Sequence, residues 1–406
     1  MIKPALLMLL TRHPYAEKSG RATMLRHRIE QAQLRFEPRI VVFGSPSGEA
    51  SDAGLTFLPL ANPISAALNA MRLGKLPMQT WLYHSASARA EVARLAAAVR
   101  APAVYVDMLR LAPLVADIPR NVARIIDYDD LLSVRYARAA GKDYEVMGFM
   151  ARRVGPLAGV ARAFARPLLR AESARCAAYE RAMLGVADLV LFTSPREAAS
   201  LGGANVMAAP PLIAPYPSAP APGERLIFLG NLHYAENIVM LRALADAVRT
   251  LEAEGALPDD AIIEVVGDHA PELASAFDAR RFRFLGRAPD LAALSGAGVF
   301  LAPVVGGSGV KLKVLDGMAL GCPVVGTAKA CEGLSARHNR DLIVASDVIG
   351  VLRTAIALRR RTRLKLMLAL RARGYIERAH APAIGAVVAD AMAEAAGRAA
   401  NRYETL

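Results

Sequence analysis

The chain has 406 residues, of which 54% are apolar and 21% are charged, so we expect a large buried core and exclude a wholly disordered protein. Its three cysteines are widely spaced and odd in number, which excludes a disulfide framework and a zinc knuckle. Lysine and arginine number 50 against 37 acidic residues, and the net charge of +13 predicts an anionic partner: nucleic acid, an anionic membrane or a phosphorylated substrate.

The first half of the chain alternates short apolar runs with longer helix-like segments. The first run, residues 5–10, is too short for the hydrophobic region of a signal peptide, so we expect a cytoplasmic protein. The runs predict β-strands at Ala5–Leu10, Arg39–Phe43, Leu55–Pro59, Ala103–Val106, Val122–Asp127 and Leu189–Thr193. Strands that alternate with helices predict a parallel sheet covered by helices.

A proline-rich stretch divides the chain. Residues 206–224 contain six prolines, and because proline fixes φ and lacks an amide donor, we expect an extended linker there. The sequence therefore predicts an N-terminal domain over residues 1–205 and a second domain over residues 225–380. We expect residues 381–406 to form a helix that packs back on the N-terminal domain.

The second half of the chain has the more sharply defined strands. They are predicted at Arg225–Leu229, Ile262–Val266, Phe282–Leu285, Val299–Ala302, Pro323–Gly326 and Leu342–Val344. Apolar runs that end abruptly in turn residues are typical of central parallel strands. The fold class that follows is α/β, with two doubly wound, Rossmann-like domains whose ligands bind at the carboxyl ends of the strands.

A glycine-rich segment follows the predicted strand at residues 299–302. It has the sequence Gly306-Gly-Ser-Gly-Val-Lys-Leu-Lys313 and leads into a helix that ends at Gly321. Glycines let a phosphate approach backbone amides, a helix N-terminus attracts anions, and the two lysines add positive charge. The pattern predicts a phosphate site, and an ordinary loop with solvated lysines is the alternative.

This region resembles the donor-binding region of glycosyltransferase family 4. The exopolysaccharide and cell-envelope branch carries Gly-Gly-Thr-Arg-Leu-Lys-Ile-Leu-Glu-Ala-Met-Ala-x-Gly-x-Pro-Val-Val at this place. Residues 227–237 resemble the family's Gly-Asn-x-x-Tyr-x-x-Asn segment, and residues 284–291 resemble its Gly-x-x-x-Asp-Leu turn. The resemblance covers residues 225–345. It implies the GT-B fold, two Rossmann-like domains facing across a cleft, and a nucleotide-sugar donor of the uridine or guanosine diphosphate type.

The same resemblance implies a set of donor-binding residues. They are Ser19, Gly20, Gly230, Asn231, Arg287, Gly307, Ser308, Gly309, Lys311, Lys313 and Asp316. The lysines would lie beside the diphosphate and Asp316 beside the ribose hydroxyls, where preorganised charges stabilise the leaving group. Two positions depart from the family pattern. Ser308 replaces a glutamate of the wider family, and Asp316 is one methylene shorter than the family's glutamate.

Two segments of the first half resemble the family as well. Residues 11–21 resemble its Pro-x-x-x-x-Gly loop, and residues 127–136 resemble the branch's Asp-x-x-Asp-x-x-Ser-x-x-Tyr stretch. The resemblance implies acceptor contacts by His13, Asp127, Asp130 and Arg135. It also implies that the catalytic residues are His13, Asp127 and Lys311. Helix capping is the alternative role for Asp130.

The function implied is that of a hexosyltransferase that retains stereochemistry. We expect no cofactor and no metal, because the donor region has no Asp-x-Asp pair and the histidines are unclustered. The acceptor implied is a lipid-linked molecule or a polysaccharide. A nucleotide-sugar 2-epimerase of the same fold is an alternative, although the sequence does not show the acidic and histidine residues that such an enzyme needs.

Two basic segments are relevant to whether the protein binds a membrane or nucleic acid. Residues 150–181 contain seven arginines among apolar residues, which fits either a solvated face or a helix lying on anionic lipid. Residues 353–373 contain eight basic residues and no acidic one, which we interpret as a solvated face. Aromatic residues make up only 6% of the chain, which argues against a nucleic-acid partner. We expect a cytoplasmic protein or one held peripherally at the inner face of the cell membrane.

Overall fold

The computed structural model describes residues 2–17, 20–141, 158–217, 223–306 and 309–404. The chain forms two compact units. Unit 1 comprises residues 1–211 together with residues 383–406, and unit 2 comprises residues 212–382.

Unit 1 is built on a parallel sheet. Its strands are β1 (Ala5–Leu10), β2 (Glu37–Phe43), β3 (Leu55–Leu58), β4 (Ala103–Asp107), β5 (Ala123–Asp129), β6 (Leu189–Phe192) and β7 (Val206–Ala208). They lie in the order β3-β2-β1-β4-β5-β6-β7, and every neighbouring pair is parallel. The order reverses direction between β1 and β4, and such a switch point is where doubly wound domains bind ligands.

Helices connect these strands. They are α1 (Gly20–Gln33), α2 (Pro63–Arg72), α3 (Ala86–Ala98), α4 (Leu132–Gly141), α5 (Ala158–Leu184) and α6 (Pro195–Leu201), with 3₁₀ turns at Ala50–Asp52, Met78–Leu82 and Leu109–Val115. Side-chain oxygens of Asn62, Ser85 and Ser194 accept backbone N–H groups at the starts of α2, α3 and α6. These caps explain why those helices begin where they do.

Unit 2 repeats the same plan. Its strands are β8 (Arg225–Leu229), β9 (Ile263–Val266), β10 (Phe282–Gly286), β11 (Gly298–Ala302), β12 (Val324–Thr327) and β13 (Ile343–Ala345). Its helices are α7 (Ala235–Ala253), α8 (Pro271–Ala274), α9 (Leu312–Ala319), α10 (Val348–Arg359) and α11 (Thr362–Ala379), with a 3₁₀ turn at Leu291–Leu294. The parallel order β10-β9-β8-β11-β12-β13 places its switch point between β8 and β11.

Both faces of the sheet in unit 1 are buried. Alternate residues of β1 enter different clusters, Leu7 and Leu9 on one face and Leu6 and Met8 on the other. The C-terminal helix α12 (Pro382–Glu404) covers the second face with five buried side chains: Val388, Met392, Ala395, Ala396 and Ala399. This covering explains why the strands are apolar on both sides.

The predicted architecture of two doubly wound parallel sheets is confirmed. The predicted strands lie within two residues of the observed ones at each end. Strand β7 was not predicted, because it has only three residues and lies in the stretch assigned to the linker, of which residues 218–222 are outside the described residues. None of the helices in the described ranges has both the length and the apolar character that crossing a membrane requires.

Candidate active site

The glycine-rich loop of unit 2 lies between β11 and α9. Gly309 has a φ of +69°, which glycine adopts without steric cost. Lys311 occupies the N-cap position of α9, and its Nζ donates to the Gly309 carbonyl at 3.0 Å. The lysine therefore lies at the start of the helix, next to the glycine turn. Gly307 and Ser308, which were predicted as donor-binding, lie outside the described residues.

Lys313 is the second residue of α9 and reaches toward α7. Its Nζ donates to Asn237 Oδ1 at 2.5 Å and lies 5.6 Å from the centre of the Phe228 ring. Burial, together with repulsion from Lys311, lowers the pKa of Lys313 from 10.5 to about 8. A positive charge held at this cost gains more from an anionic ligand than a solvated lysine does.

Asn237 connects Lys313 to the loop that follows β8. Its Nδ2 donates to the Asn231 carbonyl at 2.7 Å. A Cβ on Gly230 would lie 3.1 Å from Asn237 Cγ, so the loop packs tightly against this side chain. The structure thus brings together three of the predicted donor-binding residues: Gly230, Asn231 and Lys313.

Two glycines let the backbone segments that follow β8 and β9 pack closely against each other. A Cβ on Gly267, which follows β9, would lie 1.9 Å from the Gly230 carbonyl oxygen. The Gly230 N–H in turn donates to the Val266 carbonyl at 2.9 Å. Only glycine at position 267 permits the ends of β8 and β9 to turn side by side.

Asp316 lies one turn along α9 from Lys313 and is half-buried. Burial raises the pKa of its carboxyl group to about 7, and Lys313 opposes part of that rise. Tyr216 lies nearby, and its N–H donates to the Ala319 carbonyl at 3.0 Å. Burial raises the pKa of Tyr216, and the charge of Asp316 adds to the rise. A carboxylate in this position can accept hydrogen bonds from two neighbouring hydroxyls.

The turn after β10 contains Arg287 and Asp290. Arg287 is exposed. Asp290 accepts the Ala292 N–H at 2.8 Å and so begins the 3₁₀ turn. This capping gives Asp290 a local structural role, and the donor contact of Arg287 stays a prediction.

These contacts give the carboxyl edge of unit 2 a defined chemistry. Two ammonium groups and the N-terminus of α9 supply positive charge, and one carboxylate lies a helical turn away. Such a set can bind a diphosphate and stabilise the negative charge that develops when a nucleoside diphosphate leaves.

The corresponding edge of unit 1 contains a cluster of buried ion pairs. Asp107, at the end of β4, accepts the N–H of Thr11, which follows β1, at 2.8 Å. Arg21, in the first turn of α1, donates through Nε to Asp107 at 2.9 Å and pairs with Asp129 at 2.9 Å. An arginine paired with two carboxylates therefore lies at the switch point of unit 1.

Asp127 lies inside this cluster and is fully buried. Its Oδ2 accepts from Arg28 Nε at 2.8 Å and from the Tyr105 hydroxyl at 2.7 Å. Burial alone would raise the pKa of Asp127, but Arg28 and Arg21 hold it below its ordinary value. These contacts give Asp127 a structural role, and its predicted roles in catalysis and acceptor binding stay predictions.

The chain turns sharply at the end of β5. Asp129 has a φ of +63°, which is uncommon for a residue other than glycine, and its Oδ1 accepts from the Thr193 hydroxyl at 2.8 Å. Next along the chain, the buried Asp130 accepts from Arg135 Nε at 3.0 Å. The structure therefore pairs two predicted acceptor-binding residues, Asp130 and Arg135, with each other.

His13 lies in the loop after β1 and is buried. Its Nδ1 accepts the N–H groups of Ala16 at 2.9 Å and Tyr15 at 3.1 Å, so the ring proton is on Nε2. Nε2 lies 2.9 Å from Asp52 Oδ1 and donates to it. Both ring nitrogens thus hold the loop in place, and the predicted catalytic and acceptor-binding roles of His13 stay predictions.

The remaining donor-binding predictions in unit 1 are Ser19 and Gly20. Gly20 is the first residue of α1, directly before Arg21, and Ser19 lies outside the described residues. In the part of the chain that the structure describes, no group of three or more His, Cys, Asp or Glu side chains is arranged to hold a metal ion.

Sequence analysis did not single out Arg21, Asp107 or Asn237. Asp107 directly follows the predicted strand Ala103–Val106, which is a usable signal because strand ends meet at one edge of the sheet. Arg21 gives no such signal, since the carboxylate that it pairs with is 86 residues away along the chain. Asn237 lies inside the segment that resembles the glycosyltransferase family, but only the fold shows its contact with Lys313.

Comparison with protein families gives a match within unit 2. Residues 223–359 match the family described as glycosyl transferases group 1. No curated protein matches the chain in sequence.

Solved structures match the chain over nearly its whole length. Anabaena Alr3699/HepE in complex with UDP and glucose has a TM-score of 0.60 at 12% identity, covering 96% of this chain and 100% of that chain. Sucrose-phosphate synthase from Thermosynechococcus elongatus has a TM-score of 0.60 at 16% identity, covering 96% of this chain and 98% of that chain. A third structure is a TarM variant from S. aureus in complex with Fondaparinux, alpha-GlcNAc-glycerol and UDP. It has a TM-score of 0.60 at 9% identity, covering 98% of this chain and 100% of that chain.

Identities this low show a shared fold. Together the comparisons support a glycosyltransferase: residues 223–359 match the glycosyl transferases group 1 family, and the chain has the GT-B fold of the glycosyltransferases it resembles.

Proposed function

We propose that this protein transfers a hexose from a nucleoside diphosphate sugar to a lipid-linked or polysaccharide acceptor. The observation that carries the proposal is the arrangement on α9, where Lys311, Lys313 and Asp316 lie along one helix and Lys313 contacts Asn237. This arrangement supplies what the leaving diphosphate needs, positive charge at the phosphates and a hydroxyl acceptor at the ribose. The proposal includes membership of glycosyltransferase family 4 and its exopolysaccharide branch.

The donor that we propose carries uridine or guanosine diphosphate. The support is the family match over residues 223–359 and the UDP in the Anabaena and S. aureus structures. We propose that Lys311 and Lys313 balance the diphosphate charge, so that the reaction needs neither metal nor cofactor. We also propose, from the resemblance to glycosyltransferase family 4, that the reaction retains stereochemistry.

The acceptor that we propose is a glycan or lipid-linked molecule of cell-envelope or exopolysaccharide synthesis, bound by unit 1. Support comes from the S. aureus structure, which holds a GlcNAc-glycerol. We place the enzyme in the cytoplasm or at the inner membrane face. Three exposed arginines of α5 are available for anionic lipid, namely Arg166, Arg170 and Arg181, whereas Arg152 and Arg153 lie outside the described residues.

The test is calorimetry with uridine diphosphate and guanosine diphosphate, followed by a transfer assay. Lys311→Ala and Lys313→Ala should each weaken diphosphate binding by about 10- to 100-fold, the scale of a charge-assisted hydrogen bond. Lys75→Ala, an exposed lysine of unit 1, removes the same charge and should leave binding unchanged. Unchanged affinity in both α9 variants would remove the donor from this loop.

Two outcomes would favour the rival functions. Conversion of a nucleotide sugar to its 2-epimer without any acceptor would indicate an epimerase. Binding of single-stranded DNA more tightly than either diphosphate would indicate a nucleic-acid-binding protein.

A further inference from the structure

Helix α11 of unit 2 presents an apolar face to solvent. Four of its large side chains are exposed: Leu364 at 39%, Leu366 at 36%, Met367 at 47% and Leu370 at 61%. Leu370 lies three residues after Met367 and four after Leu366, so the three side chains form one continuous stripe on the helix. A stripe of this kind is unusual on a solvated surface, because each of its side chains would gain from leaving water.

The orientation of α11 is fixed by its inner face. Leu368, Ala372, Tyr375 and Ile376 are buried in the core of unit 2. Lys365 also points inward, and its Nζ donates to the Gly223 carbonyl at 2.7 Å. The helix therefore cannot rotate to hide the exposed stripe without exposing these residues and breaking the hydrogen bond.

The segment that leads into and includes the first part of α11 is basic. Residues 353–373 contain eight basic residues and no acidic one. Arg353, Arg359, Arg360 and Arg373 pair with nearby acidic side chains. The three remaining arginines, Arg361, Arg363 and Arg371, are exposed, and no acidic side chain in the described ranges pairs with them.

We propose that the outer face of α11, formed by Leu364, Leu366, Met367 and Leu370 with Arg361, Arg363 and Arg371, binds the surface of an anionic phospholipid bilayer. Aliphatic side chains of this size enter the boundary between headgroups and acyl chains, while guanidinium groups bind lipid phosphates. The charges attract the protein and the apolar stripe holds it, without a spanning helix. The inference rests on the proposed function, since a lipid-linked acceptor is met at such a surface.

Charge complementarity selects this occupant. Nucleic acid would contact the arginines but leave the leucines and methionine in water, because bases stack on aromatic side chains, which the stripe does not contain. A second copy of this chain would bring three more unpaired arginines against the first three, which opposes self-association.

The experiment is cosedimentation with phosphatidylcholine vesicles, with and without phosphatidylglycerol, at low and high salt. The wild type should bind the anionic vesicles, and salt should weaken the binding. Arg361→Gln/Arg363→Gln/Arg371→Gln should reduce binding at least 10-fold, and so should Leu366→Ser/Met367→Ser/Leu370→Ser. Arg242→Gln/Arg249→Gln/Arg280→Gln removes the same charge from other exposed positions of unit 2 and should change binding less than 2-fold.

Several outcomes would overturn the proposal. They are equal binding to both lipids, binding to neither, and unchanged binding in both α11 variants. If Arg166→Gln/Arg170→Gln/Arg181→Gln loses vesicle binding while the α11 variants keep it, the contact lies on α5 instead. Light scattering that shows a dimer broken by the α11 variants would assign the face to a second copy.

Separate measurements test the membrane surface on α11 and the proposed function. Uridine diphosphate calorimetry on the α11 variants should match the wild type, which also shows that the variants are folded. A protein that binds nucleotide but no vesicles overturns only the membrane surface, whereas one that binds vesicles but no nucleotide overturns the proposed function.

Discussion

Lys313 Nζ donates to Asn237 Oδ1 at 2.5 Å, so a single amide side chain joins the start of α9 to the loop after β8. The other end of that amide donates to the Asn231 carbonyl at 2.7 Å. Both ends of the amide are engaged, which fixes its orientation and aims the ammonium group at the edge of the sheet. Contacts within the protein thus hold the lysine in place, which is what preorganisation requires.

This placement predicts a pH dependence of donor binding. The pKa of Lys313 is lowered to about 8, so the unliganded protein loses this positive charge as the pH rises through 8. Affinity for uridine diphosphate should fall by about 5- to 10-fold between pH 7 and pH 9, since one pH unit above the pKa leaves about a tenth of the lysine charged. Lys313→Arg should bind with a nearly flat profile by calorimetry. A fall of the same size in the arginine variant would assign the titration to another group.

Asp316→Asn should change stability and binding in opposite directions. The pKa of Asp316 is raised to about 7 in the folded protein, above its ordinary 3.8, so the folded state binds more protons than the unfolded chain. The stability from this group is therefore full below pH 3.8 and is lost as the pH rises through 7. At pH 8 the variant should be more stable than the wild type by about 1–3 kcal/mol, and at pH 4 nearly equal to it.

The same variant should bind ribonucleotides less well. A 2′,3′-dideoxy nucleotide should bind the wild type and Asp316→Asn equally. Urea unfolding at both pH values and calorimetry with both nucleotides check the two effects. If the variant is less stable than the wild type at pH 8, the pKa of Asp316 is not raised in the folded protein.

His13 should behave as a structural residue of its loop. His13→Ala removes the acceptor for two backbone N–H groups and the donor to Asp52, so unit 1 should lose about 1–3 kcal/mol of stability. His13→Asn can keep the acceptor near the position of Nδ1 and should lose less. Thermal unfolding measures both. Turnover that is abolished in His13→Asn at wild-type stability would instead make His13 a catalytic base.

Arg28 and Asp127 form a buried pair whose halves depend on each other. Arg28→Met should destabilise unit 1 by about 3 kcal/mol, because it removes the nearer arginine and leaves the buried carboxylate of Asp127 with only Arg21, at 3.6 Å, to compensate its charge. Arg28→Met/Asp127→Leu should be less destabilised than Arg28→Met alone. Arg35→Met, which breaks the exposed pair with Asp390, serves as the control and should cost less than about 1 kcal/mol. Equal losses in the buried and exposed variants, measured by urea unfolding, would contradict the prediction.

Gly317 should not tolerate a methyl group. A Cβ there would lie 2.6 Å from Cγ of the buried Phe300, so Gly317→Ala should destabilise unit 2 by about 1–3 kcal/mol. Phe300→Leu in the same chain should restore part of the loss by making room. Gly397 also lies within a helix but has open space around it, so Gly397→Ala should be neutral or stabilising by up to about 1 kcal/mol. A neutral Gly317→Ala would mean that α9 can shift away from β11.

Local patterns were enough to predict the frame of this protein. Apolar runs that end in turn residues predict the strands, because a strand buried on both faces must be apolar throughout. The glycines and lysines of one short segment, Gly309, Lys311 and Lys313, predict a phosphate-binding loop, and its assignment to a donor stays a prediction. The strands depend on neighbours along the chain, so the sequence alone determines them.

The partners of these residues were decided by the tertiary structure. Asn237 is 76 residues from Lys313, Asp107 is 86 from Arg21, and Asp127 is 99 from Arg28. Each pair meets only because the parallel sheets bring the ends of particular strands beside particular helices. Hydrogen bonds and ion pairs require contact within a few ångströms, and no spacing in the sequence specifies which distant side chains reach it. His13 and Asp127 illustrate this point: they are buried in the fold, and their partners Asp52 and Arg28 are 39 and 99 residues away along the chain.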